Sequence, residues 1–103
     1  MAGRHIRLED IPFVEMNKGF IRQHAISDDT GLRVDYISLG PYQRIPMHTH
    51  SAREYDYILS GSINDGNGEC TRGDLIANEQ NSEHSLRAGS DGCDFLVIWV
   101  EKN

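Results

Sequence analysis

The stretch Pro46-Met47-His48-Thr49-His50-Ser51-Ala52-Arg53-Glu54 holds the residues best suited to chemistry. Two histidines at i and i+2 project to the same side of a β-strand, whereas on a helix they diverge. A same-side imidazole pair is half of a metal site. Glu54 keeps the parity of the pair and opens the next apolar stretch, so a short turn returns it to the same cavity. His84, about thirty residues later, adds a third imidazole from another strand. Three imidazoles and a carboxylate suit a single divalent ion: zinc, iron, nickel, copper or manganese. Four protein ligands close a tetrahedral zinc site, which points to a structural or sensory role. Around five- or six-coordinate iron, manganese or nickel they leave room for water, oxygen or substrate, which points to catalysis.

Two further residues are candidates for catalysis. Counting by twos from Glu54 places Asp56 and Ile58 on the same inward side. A carboxylate beside a metal–carboxylate site can serve as a general base or hold a substrate hydroxyl, although pairing with an arginine is the plainer role. Counting back from His48 by twos reaches Pro46 and then Arg44. An inward Arg44 would grip a carboxylate or another oxygen-rich group with its planar fork; an outward one is a solvated surface residue. Tyr55 and Tyr57 have the opposite parity to Glu54 and are expected to face outward, toward a subunit interface. His5 and His24 stand apart from the motif and read as ordinary surface histidines. Tyr36 and Trp99 are expected to line the core or the pocket.

The elements that must position these groups are short strands. Strand-like stretches run over Phe20 to Ile26, Leu32 to Leu39, Glu54 to Ser60, Ser62 to Asn64, Leu75 to Ala77, His84 to Arg87 and Cys93 to Val100. Between them lie the turn signals 28–31, 40–41, 65–68, 73–74 and 89–92, which hold most of the ten glycines. No helix start is followed by a sustained 3.6-residue period, and segments 1–10 and 15–30 are polar, with Pro12 and Gly19 as breakers. Short strands at this spacing predict an all-β sandwich or barrel. The last run, Cys93 to Val100, does not alternate, so it reads as a central strand covered on both faces.

At 103 residues the chain is one domain. Ten basic against sixteen acidic side chains leave it at −6, with no clustered arginine and lysine to displace counterions, so nucleic acid is excluded as a partner. Its longest apolar run, Phe95 to Val100, is far too short to span a membrane, and no apolar leader opens the chain. Cys70 and Cys93 form no C-x-x-C pair, so both thiols are expected to be free, in a cytoplasmic protein. Cys93 reads as an inert packing thiol, and Cys70, after a glycine-rich turn, as one nearer the surface. A domain this small exposes apolar surface that a homodimer would share.

The motif residues resemble a known family. His48-x-His50-x-x-x-Glu54 with Gly61 resembles the first motif of the cupins, and Gly73 with His84 resembles the second. That resemblance, from about Leu39 to Val100, implies a double-stranded β-helix, the small jelly-roll barrel of cupins. Residues 1–30 would form an N-terminal strand or arm of the domain, and 31–103 the barrel. It implies one metal ion inside, bound by His48, His50, Glu54 and His84. The chain departs from the motifs at Tyr42, where a glycine is usual, at Glu79-Gln80-Asn81 in place of Pro-x-Gly, and at Ala88 in place of asparagine. The second motif with Gly92-Cys93 is similar to ChrR-type cupin domains, the sensory half of zinc-dependent anti-sigma factors. The chain is expected to correspond to that half alone, without the sigma-binding function. Two functions follow from the resemblance. One is a small stand-alone metalloenzyme of oxygenase (such as a dioxygenase), lyase or isomerase type, acting on a small oxygenated organic molecule. The other is a non-catalytic zinc-binding sensory module.

Overall fold

The computed structural model describes residues 3–16, 20–27 and 31–100, the side chains of 16–25 and 27 excepted. Apart from a 3-10 turn at Leu8–Asp10, the regular elements among these residues are strands. They are β1 (Val14–Met16), β2 (Phe20–Ser27), β3 (Leu32–Leu39), β4 (Arg44–Thr49), β5 (Glu54–Asn64), β6 (Glu69–Thr71), β7 (Leu75–Asn78) and β8 (Glu83–Val100). All pairings are antiparallel, in the order β1-β2-β3-β8-β5-β6, with β4 also on β8 and β7 also on β5. β8 is the spine of a small jelly-roll barrel. Its first half takes β4 on one edge, its second half takes β3, and β5 follows the opposite edge. No helix among the described residues is long and apolar enough to cross a membrane.

Register sorts the interior into rows. Ile37, Phe95 and Ile58 are cross-strand neighbours on β3, β8 and β5. The next row is Asp35, Val97, Asp56 and Ile76, and the third is Arg33, Trp99, Glu54 and Asn78. The first row joins Ile63, Leu86, Ala88 and Cys93 in the apolar core, against which Ile45, Cys70 and Trp99 pack. Full burial of a side chain such as Phe95 or Ile58 contributes roughly 1.5–3 kcal/mol. The later rows turn polar, and there the candidate site begins.

Three expectations need correcting. The segments 54–60 and 62–64 form one strand, as do 84–87 and 93–100, so the glycines at 89–92 bend a strand instead of ending it. Gly61 and Gly92 both have φ of 74°; a Cβ on Gly61 would strike the Gly92 carbonyl, and one on Gly92 the Leu39 carbonyl. Backbone crosses backbone there too closely for any side chain. Three-residue strands β1 and β6 escape a reading by period, because they are too short to show one. The closing strand is central, as predicted, but its outer residues Leu96 and Ile98 are only half-buried. Cys70 is half-buried against the core, and Cys93 is buried; both are free thiols.

Candidate metal centre

Four side chains converge where β4, β5 and β8 meet. His48, near the end of β4, pairs directly with His84 at the start of β8. His50 follows one residue beyond β4, and its backbone is pinned by His50 N–H to the Ser82 carbonyl (2.8 Å) and Asn81 N–H to the His50 carbonyl (2.8 Å). Glu54 opens β5 across the barrel. The ligand atoms of His48, His50, Glu54 and His84 all lie within 4.8 Å of one another. The three imidazole centroids form a nearly equilateral triangle of 4.5, 4.6 and 5.0 Å, with ring planes crossing at 77° to 84°. Three mutually perpendicular rings point three nitrogens at one volume without stacking on each other.

Hydrogen bonds select the tautomers this requires. A carbonyl can only accept, so Nδ1–H of His48 donates to the Pro46 carbonyl (2.9 Å) and Nδ1–H of His50 to the Ser82 carbonyl (3.0 Å). In both rings the lone pair is thereby on Nε2. Ser82 is fixed in turn, its hydroxyl donating to the Glu79 carbonyl at 2.6 Å. His50 Nε2 and His84 Nε2 are buried without a hydrogen-bond partner. A buried polar atom left unpaired costs about 1–3 kcal/mol, and a cation between these rings would satisfy both. Burial first, then the neighbouring His48 and His50, lowers the His84 pKa to about 4, so its ring is neutral at neutral pH. Glu54 completes the donor set, with Oε1 at 3.7 Å from His50 Nε2. Neutral nitrogens, a carboxylate and orphaned lone pairs fit a divalent ion.

Behind Glu54 lies Asp56, inward as its parity predicts and 1% exposed. Its Oδ2 accepts from Asn78 Nδ2 at 3.0 Å, while Oδ1 has no partner. Burial, then the charge of Glu54, pushes its pKa up to about 9. Asp56 is not among the residues lining the pocket that opens beside the cluster. That pocket, about 870 Å³, is walled by His48, His50, Glu54, Trp99 and neighbours, with Arg53 and Gln80 on its rim. Arg53 Nε pairs with Glu79 at 3.1 Å, and Gln80 Nε2 donates to the Ser51 carbonyl at 3.2 Å.

Of the two positions open to Arg44, gripping inward or solvated at the surface, the structure shows the second: its side chain is exposed. An irregularity in the β4–β8 pairing between Ile45 and His48 breaks the count by twos, so Ile45 packs on the core and Arg44 turns out. Tyr57 is exposed and Tyr55 half-buried, on the outer face as predicted. His5 is exposed and outside the cluster, and the side chain of His24 lies outside the described residues. Sequence reasoning missed Asn78, whose inward parity with Ile76 was available as a signal, and Ser82, for which no local signal exists. The departures from the family's motifs are informative. Tyr42 and Asn81, standing where glycine is usual, are the two non-glycine residues of positive φ among those described, at 59° and 71°. The turns keep a glycine's conformation without the glycine.

The model of the ChrR cupin-like domain matches residues 1–101 of the chain. No curated protein sequence matches it. In the crystal structure of Rhodobacter sphaeroides SigE in complex with the anti-sigma ChrR, one chain superimposes with a TM-score of 0.82 at 22% identity, over 90% of this chain and 51% of that one. This chain thus spans about half the length of that relative. KdgF from Halomonas sp. superimposes with a TM-score of 0.85 at 12% identity, over 99% and 96% of the two chains. An acetylacetone dioxygenase from Acinetobacter johnsonii gives 0.81 at 12% identity, over 97% and 75%. At these identities the structural likeness establishes the fold alone.

Proposed function

The chain belongs to the ChrR cupin-like family, and on that premise we propose that it is a divalent-metal enzyme acting on a small oxygenated organic molecule. His48, His50, Glu54 and His84 hold the ion, which is iron, nickel or manganese in this reading and zinc in the second reading below. One observation carries the reading: three of the four ligands also wall an open pocket, so a molecule in the pocket meets the centre directly. Such an ion, when bound, supplies Lewis acidity toward a substrate oxygen, in oxidation, lyase or isomerase chemistry. The remaining tasks fall to the chain's own residues. The Pro46 and Ser82 carbonyls orient two of the imidazoles. Trp99 offers an apolar wall for the body of the substrate. Asp56 enters as a positioning residue, held by Asn78 behind Glu54; the exposed Arg44 has no part in this site.

The second reading, a zinc-binding sensory module, draws its support from the family match along residues 1–101 and from the likeness to the SigE–ChrR structure. Elemental analysis separates the two, on protein prepared without added metal or chelator and alongside His84→Ala. About one iron, nickel or manganese per chain, lost in the variant, supports the enzyme. One zinc per chain supports the module. Absence of metal from both samples overturns both readings.

The proposal includes a homodimer in the cytoplasm. Tyr36, Leu96, Tyr57 and Leu75 form one outward row and Val34, Ile98, Tyr55 and Ala77 the next, an apolar sheet face suited to a second copy. Two free thiols accord with a reducing compartment. Light scattering on Tyr57→Arg, expected to give monomer from a wild-type dimer, tests the interface.

A further inference from the structure

A second constellation lies on the outer surface of the barrel. Register sets Arg44 opposite Arg87 across β4 and β8, Arg87 opposite Asn64 across β8 and β5, and Asn64 opposite Glu69 across β5 and β6. All four residues are exposed. Residues directly opposite in antiparallel strands hold their Cβ atoms about 4.5–5.5 Å apart, and like charges so placed repel. Neither guanidinium has a carboxylate within ion-pair distance among the described residues. Arg87 instead lies over the Tyr42 ring, 5.6 Å from its centroid, which steadies the planar fork. Tyr42 is itself 57% exposed in a left-handed conformation, its backbone N–H held by the Gly89 carbonyl at 3.0 Å. Asn64 Oδ1 accepts from Gly66 N–H at 2.8 Å, leaving its amide nitrogen as the outward donor.

Tyr42, Ser62, Asn64, Glu69 and Arg87 line a shallow depression of about 260 Å³ beside this row. One guanidinium fork, an amide and hydroxyls line it on a chain of net charge −6, and Arg44, outside the lining, stands directly opposite Arg87 across β4 and β8. We propose that this depression binds an oxyanion, the phosphate or carboxylate group of a ligand, gripped by Arg44 and Arg87 with Asn64 as a third donor. The anion relieves the repulsion between the arginines and engages both forks. Glu69, at the β6 end of the row, excludes a second negative charge extended in that direction. The site is distinct from the metal centre, because Arg44 and Arg87 point outward where Ile45 and Leu86 point into the core.

The test is residue-resolved NMR of the full chain, titrated with inorganic phosphate or with succinate at an ionic strength held constant with chloride. Saturable shifts are expected at Tyr42, Asn64 and the Arg87 guanidinium, and not at His48 or His50. Arg44→Ala and Arg87→Ala each weaken the interaction about tenfold or more. Arg87→Lys falls between, since it keeps the charge and loses the fork, and Glu69→Gln tightens binding severalfold. A response to phosphate alone assigns a phosphoryl ligand; a response to succinate alone assigns a carboxylate. Absence of saturable shifts with both anions overturns the proposal. So does a response that persists in the Arg44→Ala/Arg87→Ala double variant, whose exposed substitutions leave the core resonances in place.

Discussion

Phe95 and Asp56 are equally buried, each 1% exposed, and they stand for the two ends of one barrel interior. At the Phe95 end Ile37, Ile58, Ile63, Leu86 and Ala88 close-pack, and every buried atom gains contacts. At the Asp56 end three polar atoms, on His50, Asp56 and His84, are buried without hydrogen bonds. Equal burial therefore has opposite energetic sign. The apolar end stabilises the fold; the polar end weakens it and keeps a donor set ready for a cation. Such unpaired groups persist where an activity requires them.

The contrast can be broken by substitution. Phe95→Ala should destabilise the protein by about 3–5 kcal/mol in urea unfolding, through lost burial and the cavity left behind. A loss below about 1 kcal/mol would mean the apolar end is not close-packed. His84→Leu should do the reverse in chelator-treated protein, raising stability by about 1–3 kcal/mol as an unpaired nitrogen disappears, while the same variant prepared without chelator should carry no metal. pH sharpens that comparison. The His84 ring titrates near 4 when folded and near its ordinary 6.5 when unfolded, so between these values the unfolded chain binds more protons. Metal-free wild-type protein should therefore lose stability as pH falls through that window, and His84→Leu should show a shallower slope.

Asp56→Asn should retain the metal by elemental analysis and lower turnover roughly tenfold, the size expected of a residue acting through a ligand. Loss of the metal would make Asp56 part of the binding set; unchanged turnover in an established assay would remove it from the mechanism. The smallest effects are expected at the turns. Tyr42→Gly should stabilise by up to about 1 kcal/mol by relieving a left-handed backbone, and Asn81→Gly by a few tenths, since asparagine tolerates that region better. Thermal unfolding of the two variants gives the comparison.

The grouping of the four candidate ligands was legible in the sequence in part because spacing along one extended stretch carries the direction of its side chains. His48, near the end of β4, and His50, one residue beyond it, converge on one cluster, and Glu54, Asp56 and Ile58 follow one parity along β5. Leu32–Leu39 is a strand with the limits its residues predict, bounded by a glycine on each side. For Arg44 the sequence left both orientations open, because the irregularity after Ile45 slips the register by an amount no pattern in β4 announces. Ser82 was equally hidden: it meets His50 across 32 residues of sequence.

What the sequence by itself determined is therefore local: strand and turn content, the parity of unbroken strands, and the types and spacing of the four candidate ligands. The tertiary structure decided whatever depends on two strands at once. It made Gly89–Gly92 a bend within β8, turned Arg44 out beside Arg87, placed Asn78 on Asp56, and set Ser82 to hold His50. The physical reason is common to all four. Direction along a strand follows from its own backbone, whereas a bulge, a close crossing or a hydrogen bond between distant residues is set by contacts with another part of the chain.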